Sequence, residues 1–172
     1  MYEGAGSARA MSRLDSFIRR LEAQRACIDA AVRLVAEIPG LVFELGLGNG
    51  RTYDHMRQAL PDRRIVVFER DPQPHPGCVP ATGDLIVGDL ETVLPEVADR
   101  WAGRVALMHS DIGTGDSARN RRMAASLSLL LPQFLVPGGI IVSDQALASP
   151  MLGSLTAPPG VPPDRYFLYE RR

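Results

Sequence analysis

Short runs of mostly apolar residues recur along the chain, and they constrain its fold more than any other feature. They are LVFEL (41–45), IVVFE (65–69), LIV (85–87), RVALMHS (104–110) and GGIIVSD (138–144). A run that is apolar throughout is typical of a strand covered on both faces. Helical segments separate the runs, and this alternation predicts an α/β fold. We expect a doubly wound, mostly parallel sheet of about six strands, completed by RYFLYE (165–170), with helices on both faces.

The segments between the strands divide into helices and loops. Helices are predicted over 12–38, 51–60, 90–101 and 116–135, and apolar residues of the first recur three or four positions apart. Two stretches read as loops, 71–83 with its four prolines and 146–163. Residues 1–10 are small and glycine-rich, so we expect a loose tail there. We predict a single domain over 1–172, with a helical segment (12–38) ahead of a core (41–144).

Composition excludes several kinds of function. All 19 basic residues are arginine, which rules out a phosphate-binding Walker lysine or a Schiff-base lysine in this chain. The net charge of −1 favours neither nucleic acid nor an anionic membrane as partner. No apolar run approaches the about 20 residues of a membrane span, and the first residues lack the apolar segment of a secretory signal. We therefore expect a cytoplasmic protein.

The glycine-rich stretch Gly46-Leu47-Gly48-Asn49-Gly50 is the first candidate for a functional site. It leaves the first predicted strand and opens a helix, where free backbone amides favour a polar or anionic ligand. Glycine lets the backbone turn tightly and lets a ligand come close. A dinucleotide fingerprint needs a third glycine where Arg51 stands. Glu44, two residues before the loop, suits a cationic or amine-bearing ligand better than a pyrophosphate.

Five motifs in order resemble those of the class I S-adenosylmethionine-dependent methyltransferases, which have a Rossmann-like fold. They are FELGLGNG, VVFERD, IVGDLETVLPEV, LMHSDIGTGD and FLVPGGIIVSD. The resemblance covers about 41–144, identifies this stretch as a cofactor-binding core, and implies S-adenosyl-L-methionine as cofactor. It implies that Glu69 binds the ribose hydroxyls, and that Asp89 and the Leu90 amide meet the adenine. Asp89 would also serve as the cap of the helix that follows.

Further cofactor contacts are expected around these motifs. In the first turn after the glycine loop, Thr52 and Tyr53 would reach the methionine carboxylate, although core packing is an equal alternative for Tyr53. The expected cofactor-binding residues are Glu44, Gly46, Leu47, Gly48, Asn49, Gly50, Thr52, Tyr53, Glu69, Arg70, Asp89, Leu90 and Asp111.

Methyl transfer is an in-line displacement that needs an aligned nucleophile and often a base. Asp111 and Asp144 end the fourth and fifth predicted strands, and His109 is a candidate base near neutral pH. We expect these three residues near the reaction. In the metal-dependent catechol-type O-methyltransferases, the matching positions hold magnesium. This chain departs from them with Gln145 for an asparagine and Thr114 for a lysine, so no metal is expected and the metal-dependent reaction stays an alternative.

The sequence also fits two functions without methyl transfer. One is a module that binds S-adenosylmethionine without turnover, and the second is a nicotinamide-dependent oxidoreductase. Short walls favour a small-molecule acceptor, or a pocket completed by a second subunit, and a homodimer through the first helix is one such assembly. One of Arg19, Arg20 and Arg25 would close over the cofactor, whereas Arg119, Arg121 and Arg122 read as a solvated helix face.

Overall fold

A computed structural model describes residues 11–172; the predicted tail at 1–10 lies outside the described residues. Strands and helices alternate along most of the chain. The helices are α1 (Arg13–Leu34), α2 (Arg51–Ala59), α3 (Leu90–Glu96), α4 (Ala98–Trp101) and α5 (Ser117–Leu130). The strands are β1 (Leu41–Leu45), β2 (Ile65–Glu69), β3 (Leu85–Val87), β4 (Val105–Ser110), β5 (Leu135–Ser143), β6 (Leu152–Leu155) and β7 (Phe167–Arg171). Short 3₁₀ turns occupy Pro76–Cys78 and Leu131–Phe134.

The strands form one sheet in the order β3-β2-β1-β4-β5-β7-β6. Strands β1 to β5 run parallel, and β7 pairs antiparallel with both β5 and β6. The order reverses beside β1, so the carboxyl ends of β1 and β4 flank the position where such sheets bind ligands. This confirms the predicted α/β, mostly parallel architecture.

Helices cover both faces of the sheet, as the sequence predicts. One apolar cluster joins α1 and α2 to the sheet, and a second joins α3, α4 and α5 to its opposite face. Phe43 lies at the centre of the second cluster, with ring centroids 4.9 Å from Phe68 and 5.5 Å from both Trp101 and Phe134. Among residues 11–172, no helix combines the length and the apolarity needed to cross a membrane.

The sheet has seven strands rather than about six. The additional strand, β6, lies within the segment 146–163 that reads as a loop, because its sequence LGSL has no apolar alternation. Its pairing with β7 places Leu152 opposite Arg171 and Leu155 opposite Leu168. The partner strand therefore determines β6, and the local sequence does not.

Three predicted helices are shorter than expected, and a proline accounts for each difference. The first ends at Leu34 in turns whose amides donate three residues back, from Ala36 to Arg33 and from Ile38 to Val35, and Pro39 then prevents the helix from resuming. The segment 90–101 divides into α3 and α4 because Pro95 has no amide to donate. Pro132 ends α5 in a 3₁₀ turn.

The aromatic cluster generates a stability prediction. Replacing Phe43, which is fully buried, with alanine leaves a cavity among three aromatic rings. We expect the free energy of unfolding in urea to fall by about 3–5 kcal/mol. Leu129→Ala is the control, because Leu129 is 79% exposed and its truncation should change stability by less than about 0.5 kcal/mol. Similar losses in the two variants would contradict this packing.

Candidate functional site

Two of the loop glycines stand where no other residue fits. Gly46 (φ +89°) leaves β1, and a Cβ there would lie 2.7 Å from the carbonyl oxygen of Asp111. Gly50 (φ +86°) precedes α2, and a Cβ there would lie 2.5 Å from the Cβ of Cys78. Both have left-handed backbone, which strains any residue with a Cβ. The loop is therefore packed tightly between the end of β4 and the segment after β2.

Glu69, at the end of β2, holds the glycine loop from one side. Its Oε2 accepts from the amides of Leu47 (2.8 Å) and Gly48 (3.1 Å), and its Oε1 accepts from the amide of Asp71 (3.0 Å). Burial opposes ionisation, but these amides together lower the pKa of Glu69 below its usual value. A carboxylate has about four acceptor positions, so the charged group keeps capacity for a ligand hydroxyl.

Asp89 and Leu90 lie at the start of α3, next to the end of β3. Asp89 is the N-cap residue, but its side chain makes no capping hydrogen bond. Its carboxylate lies instead 3.9 Å from the guanidinium of Arg70, and both residues line the same cleft as Glu69. The predicted capping role is therefore not realised, and the Asp89 side chain is available to a ligand.

Glu44 and His109 form an ion pair beneath the glycine loop, and neither side chain is exposed. His109 Nδ1 donates to Glu44 Oε2 at 2.7 Å, and the Thr52 hydroxyl donates to Glu44 Oε1. Burial alone would lower the pKa of His109, but the Glu44 carboxylate raises it above its usual value. The structure thus places Glu44 and His109 below the cleft rather than in its lining, and their predicted roles remain predictions.

Asp111 follows β4 and lies in the cleft, as expected for a site residue. Arg20 Nη2, from α1, donates to its two carboxylate oxygens at 2.6 and 2.8 Å. Gln24 Nε2, one turn further along α1, donates to Asp111 at 2.8 Å and lies 3.4 Å from His109 Nε2. Arg20 is thus the one of the three candidate arginines of α1 that reaches Asp111.

Tyr166, which immediately precedes β7, lies beneath the cleft near Arg20 and Asp111, and the sequence patterns do not reveal this position. Its ring is stacked on that of His109, with centroids 6.4 Å apart and planes 11° apart. Its hydroxyl is buried beside the Arg20 guanidinium, and the contact between the two groups lacks the geometry of a normal hydrogen bond. Burial, and then the charge of Asp111, raises its pKa, while nearby Arg20 acts against this. A buried hydroxyl without a partner calls for an explanation such as a ligand or a water.

Asp144 does not face the cleft but holds the loop that follows β4. Its Oδ1 accepts from the amide of Ile112 (3.2 Å), and its Oδ2 accepts from the amide of Gly113 (2.8 Å) and from Gln145 (2.9 Å). Burial, and then the nearby charge of Asp111, raises its pKa. The structure therefore gives Asp144 a positioning contact.

The donor set gives no support to the metal-dependent reaction. The oxygens of Asp111 face Arg20 and Gln24, whereas those of Asp144 face backbone amides and Gln145. Within the described part of the chain, no three His, Cys, Asp or Glu side chains converge as a metal site requires. These carboxylates do not fit a shared magnesium ion as they stand.

The cleft consists of two adjoining depressions that share Gly46, Gly48 and Asp111. The first, of ≈ 230 Å³, lies over the ends of β2 and β3 and reaches α5. The second, of ≈ 180 Å³, lies between the glycine loop and α1. Together they offer the space of a small-molecule site, which is typically about 300–1,000 Å³.

Most of the residues expected at the cofactor meet in this cleft. Those in its lining are Gly46, Leu47, Gly48, Asn49, Thr52, Glu69, Arg70, Asp89, Leu90 and Asp111. Glu44, Gly50 and Tyr53 are outside it. Tyr53 is buried in the core shared by α1 and α2, which is the packing role that the sequence also allows. The sequence patterns do not predict Gln24 as a contact of Asp111. It lies on the apolar stripe of α1, and a polar residue on such a stripe indicates a polar contact inside the protein.

Comparison with known proteins agrees with this geometry. A family described as S-adenosyl-L-methionine methyltransferase matches residues 11–171. The chain is similar to the crystal structure of an S-adenosyl-L-methionine methyl transferase from Silicibacter pomeroyi DSS-3. The two share 42% sequence identity over 94% of this chain and 99% of that one, with a TM-score of 0.89. No curated protein matches the chain.

More distant structures share the fold alone. Human methyltransferase-like protein 13, crystallised with SAH, is 16% identical over 91% of this chain and 80% of that one, with a TM-score of 0.52. TrmN from Thermus thermophilus is 17% identical over 91% of this chain and 52% of that one, with a TM-score of 0.60.

The buried pair generates a pH prediction. The pKa of His109 is raised on folding, so its contribution to stability is complete below the unfolded pKa of about 6.5. That contribution is lost as the pH rises through the raised value in the folded protein. We expect the free energy of unfolding in urea to fall as the pH rises above about 6.5, by up to about 1.4 kcal/mol per pH unit for one proton.

His109→Gln should remove this dependence of the unfolding free energy on pH. An unchanged pH dependence in the variant would contradict its assignment to His109. If His109→Gln does not fold, an NMR titration of the wild-type histidine ring gives the same answer. The ring should lose its proton above pH 6.5, and loss of its proton below that value would refute the charged pair.

Proposed function

This chain belongs to the S-adenosyl-L-methionine methyltransferase family and uses S-adenosyl-L-methionine as its cofactor; we propose that its methyl acceptor is a small molecule. The observation that carries the proposal is the shape of the cleft, in which Asp89, Glu69 and Asp111 line one continuous and shallow groove. No inserted domain extends its walls within residues 11–172.

The strand order suggests how the cofactor lies. Along the sheet, the residues that end β3, β2, β1 and β4 follow one another across the cleft. Adenine would lie at Asp89 and Leu90, and the ribose hydroxyls would donate to Glu69 as a charge-assisted contact. The methionine part would then pass over the glycine loop toward Asp111, between that loop and α1.

The charged side chains at the Asp111 end of the cleft complement the two charged groups of an amino acid. The methionine part carries one carboxylate and one ammonium group, and the protein offers Arg20 and Asp111 side by side. We propose that the carboxylate takes Arg20 away from Asp111, while the ammonium group donates to Asp111. The buried hydroxyl of Tyr166 lies beside both and would supply a further donor once Arg20 moves.

This placement would bring the reacting methyl group close to Asp111. The nucleophile must approach in line with the carbon–sulfur bond, and its proton must leave. We propose that the ammonium group pairs with one carboxylate oxygen of Asp111, and that the other oxygen, released when Arg20 moves, contacts the acceptor and takes that proton. Asp144 and His109 act as positioning residues, because their own contacts hold the loop after β4 and the base of the cleft.

Several expectations remain predictions alongside this proposal. They are a cytoplasmic location, a bacterial origin, and a homodimer through α1, whereas the family shows that the chain is an S-adenosylmethionine-dependent methyltransferase. Leu14, Phe17 and Ile18, near the start of α1, are the exposed apolar side chains that such a dimer would cover.

Loss of the Glu69 charge tests the placement of the cofactor. Glu69→Gln removes a charged acceptor for the ribose hydroxyls, and such hydrogen bonds contribute about 1.5–3 kcal/mol. We expect the affinity for S-adenosylmethionine, measured by calorimetry, to fall roughly 10–100-fold. Glu96→Gln, an exposed carboxylate outside the cleft, is the control and should bind as the wild type does. Equal affinity in Glu69→Gln and the wild type would refute the ribose contact.

A further inference from the structure

The charges that line the cleft are unevenly balanced. Three carboxylates line it, those of Glu69, Asp89 and Asp111. Four guanidinium groups face them, those of Arg20, Arg51, Arg70 and Arg119. The cleft therefore carries an excess of positive charge before any ligand binds.

In the described part of the chain, the four arginines divide into two that lie beside a carboxylate and two that do not. Arg20 is paired with Asp111, and Arg70 lies near Asp89. Glu69 is compensated by backbone amides rather than by an arginine. Within residues 11–172, neither Arg51 nor Arg119 forms an ion pair.

The cofactor increases this imbalance. Its carboxylate and ammonium groups cancel, but the sulfonium adds a positive charge. An acceptor bound next to it therefore meets a positive surface, and complementary charge favours its binding there. An anionic acceptor suits this surface, and a cationic acceptor is repelled by it.

The loop that leads to Arg119 is held in place by side chains. Asp144 accepts from the amides of Ile112 and Gly113. Asn120 accepts from the amide and the hydroxyl of Thr114 and donates to its carbonyl. Asp116 accepts from the amides of Ala118 and Arg119. A wall fixed in this way is preorganised for binding.

Arg119 itself occupies an unfavourable position for a cation. It lies in the first turn of α5, which contains no acidic residue after the cap. The positive end of a helix dipole favours anions there and disfavours arginine. Arg121 and Arg122, further along α5, do not line the cleft. In the sequence all three arginines read as one solvated helix face, but Arg119 differs from the other two in its position.

We propose that the methyl acceptor carries a carboxylate or phosphate group and that Arg119 binds this group. The proposal rests on the proposed function, because it concerns the acceptor of the same cleft. Asp111 borders both depressions; Arg119 lines the one over the ends of β2 and β3, and Arg51 lines the one beside α1, where the methionine part would lie. The planar guanidinium matches both anions in a two-point contact.

The test uses the protein loaded with S-adenosylhomocysteine and two probes of the same size, benzoate and benzamide, with inorganic phosphate as the second anion. We expect benzoate or phosphate to bind at least about tenfold more tightly than benzamide in calorimetric titrations. Arg119→Gln should abolish this preference, and Arg119→Lys should retain part of it. Arg122→Gln, an exposed arginine on the same helix, should leave the preference unchanged.

Three results would overturn the inference: no preference for anions in the wild type, the same preference in Arg119→Gln, or weakened binding of S-adenosylhomocysteine in Arg119→Gln. The last result would assign Arg119 to the cofactor instead. The affinity of the wild type for S-adenosylmethionine is measured first. If the cofactor does not bind, the proposed function fails; if it binds and the anion preference is absent, only this inference fails.

Discussion

The buried pair of the Glu44 carboxylate and the His109 imidazole connects the elements at the centre of this molecule. Neither side chain has contact with solvent. The two residues are partners across the parallel strands β1 and β4, so their side chains project from the same face of the sheet. Such a pair adds little net stability by itself, but removing one partner from it typically costs about 3–5 kcal/mol. The effect of the pair is instead to fix one arrangement of the groups around it.

Every element that forms the cleft on this face contacts that pair or a neighbour of it. Thr52 brings the start of α2 to Glu44, and the ring of Tyr166 brings β7 to His109. Gln24 brings α1 to Asp111, the residue that Arg20 also contacts. Glu69 holds the glycine loop from the other side through two backbone amides. The cleft is thus fixed at both ends before a ligand enters it.

The sequence predicts well those features that local residue patterns encode. The buried strands and the glycine loop have their own signatures, and so do the acidic residues at the ends of β2, β3 and β4. Features that depend on distant partners escape such patterns. Strand β6 exists through its pairing with β7, and the contact of Asp144 with the loop after β4 depends on where β5 ends. Tyr166 precedes the last strand and reaches the site only because β7 lies next to β5.

The central claim is that the cofactor lies across the strand ends from Asp89 to Asp111. A crystal structure of the protein with S-adenosylhomocysteine tests this most directly. The account predicts adenine at Asp89, the ribose hydroxyls on Glu69, and Arg20 moved from Asp111 to the carboxylate of the ligand. A nucleoside bound away from Glu69, with the contact between Arg20 and Asp111 unchanged, would contradict it.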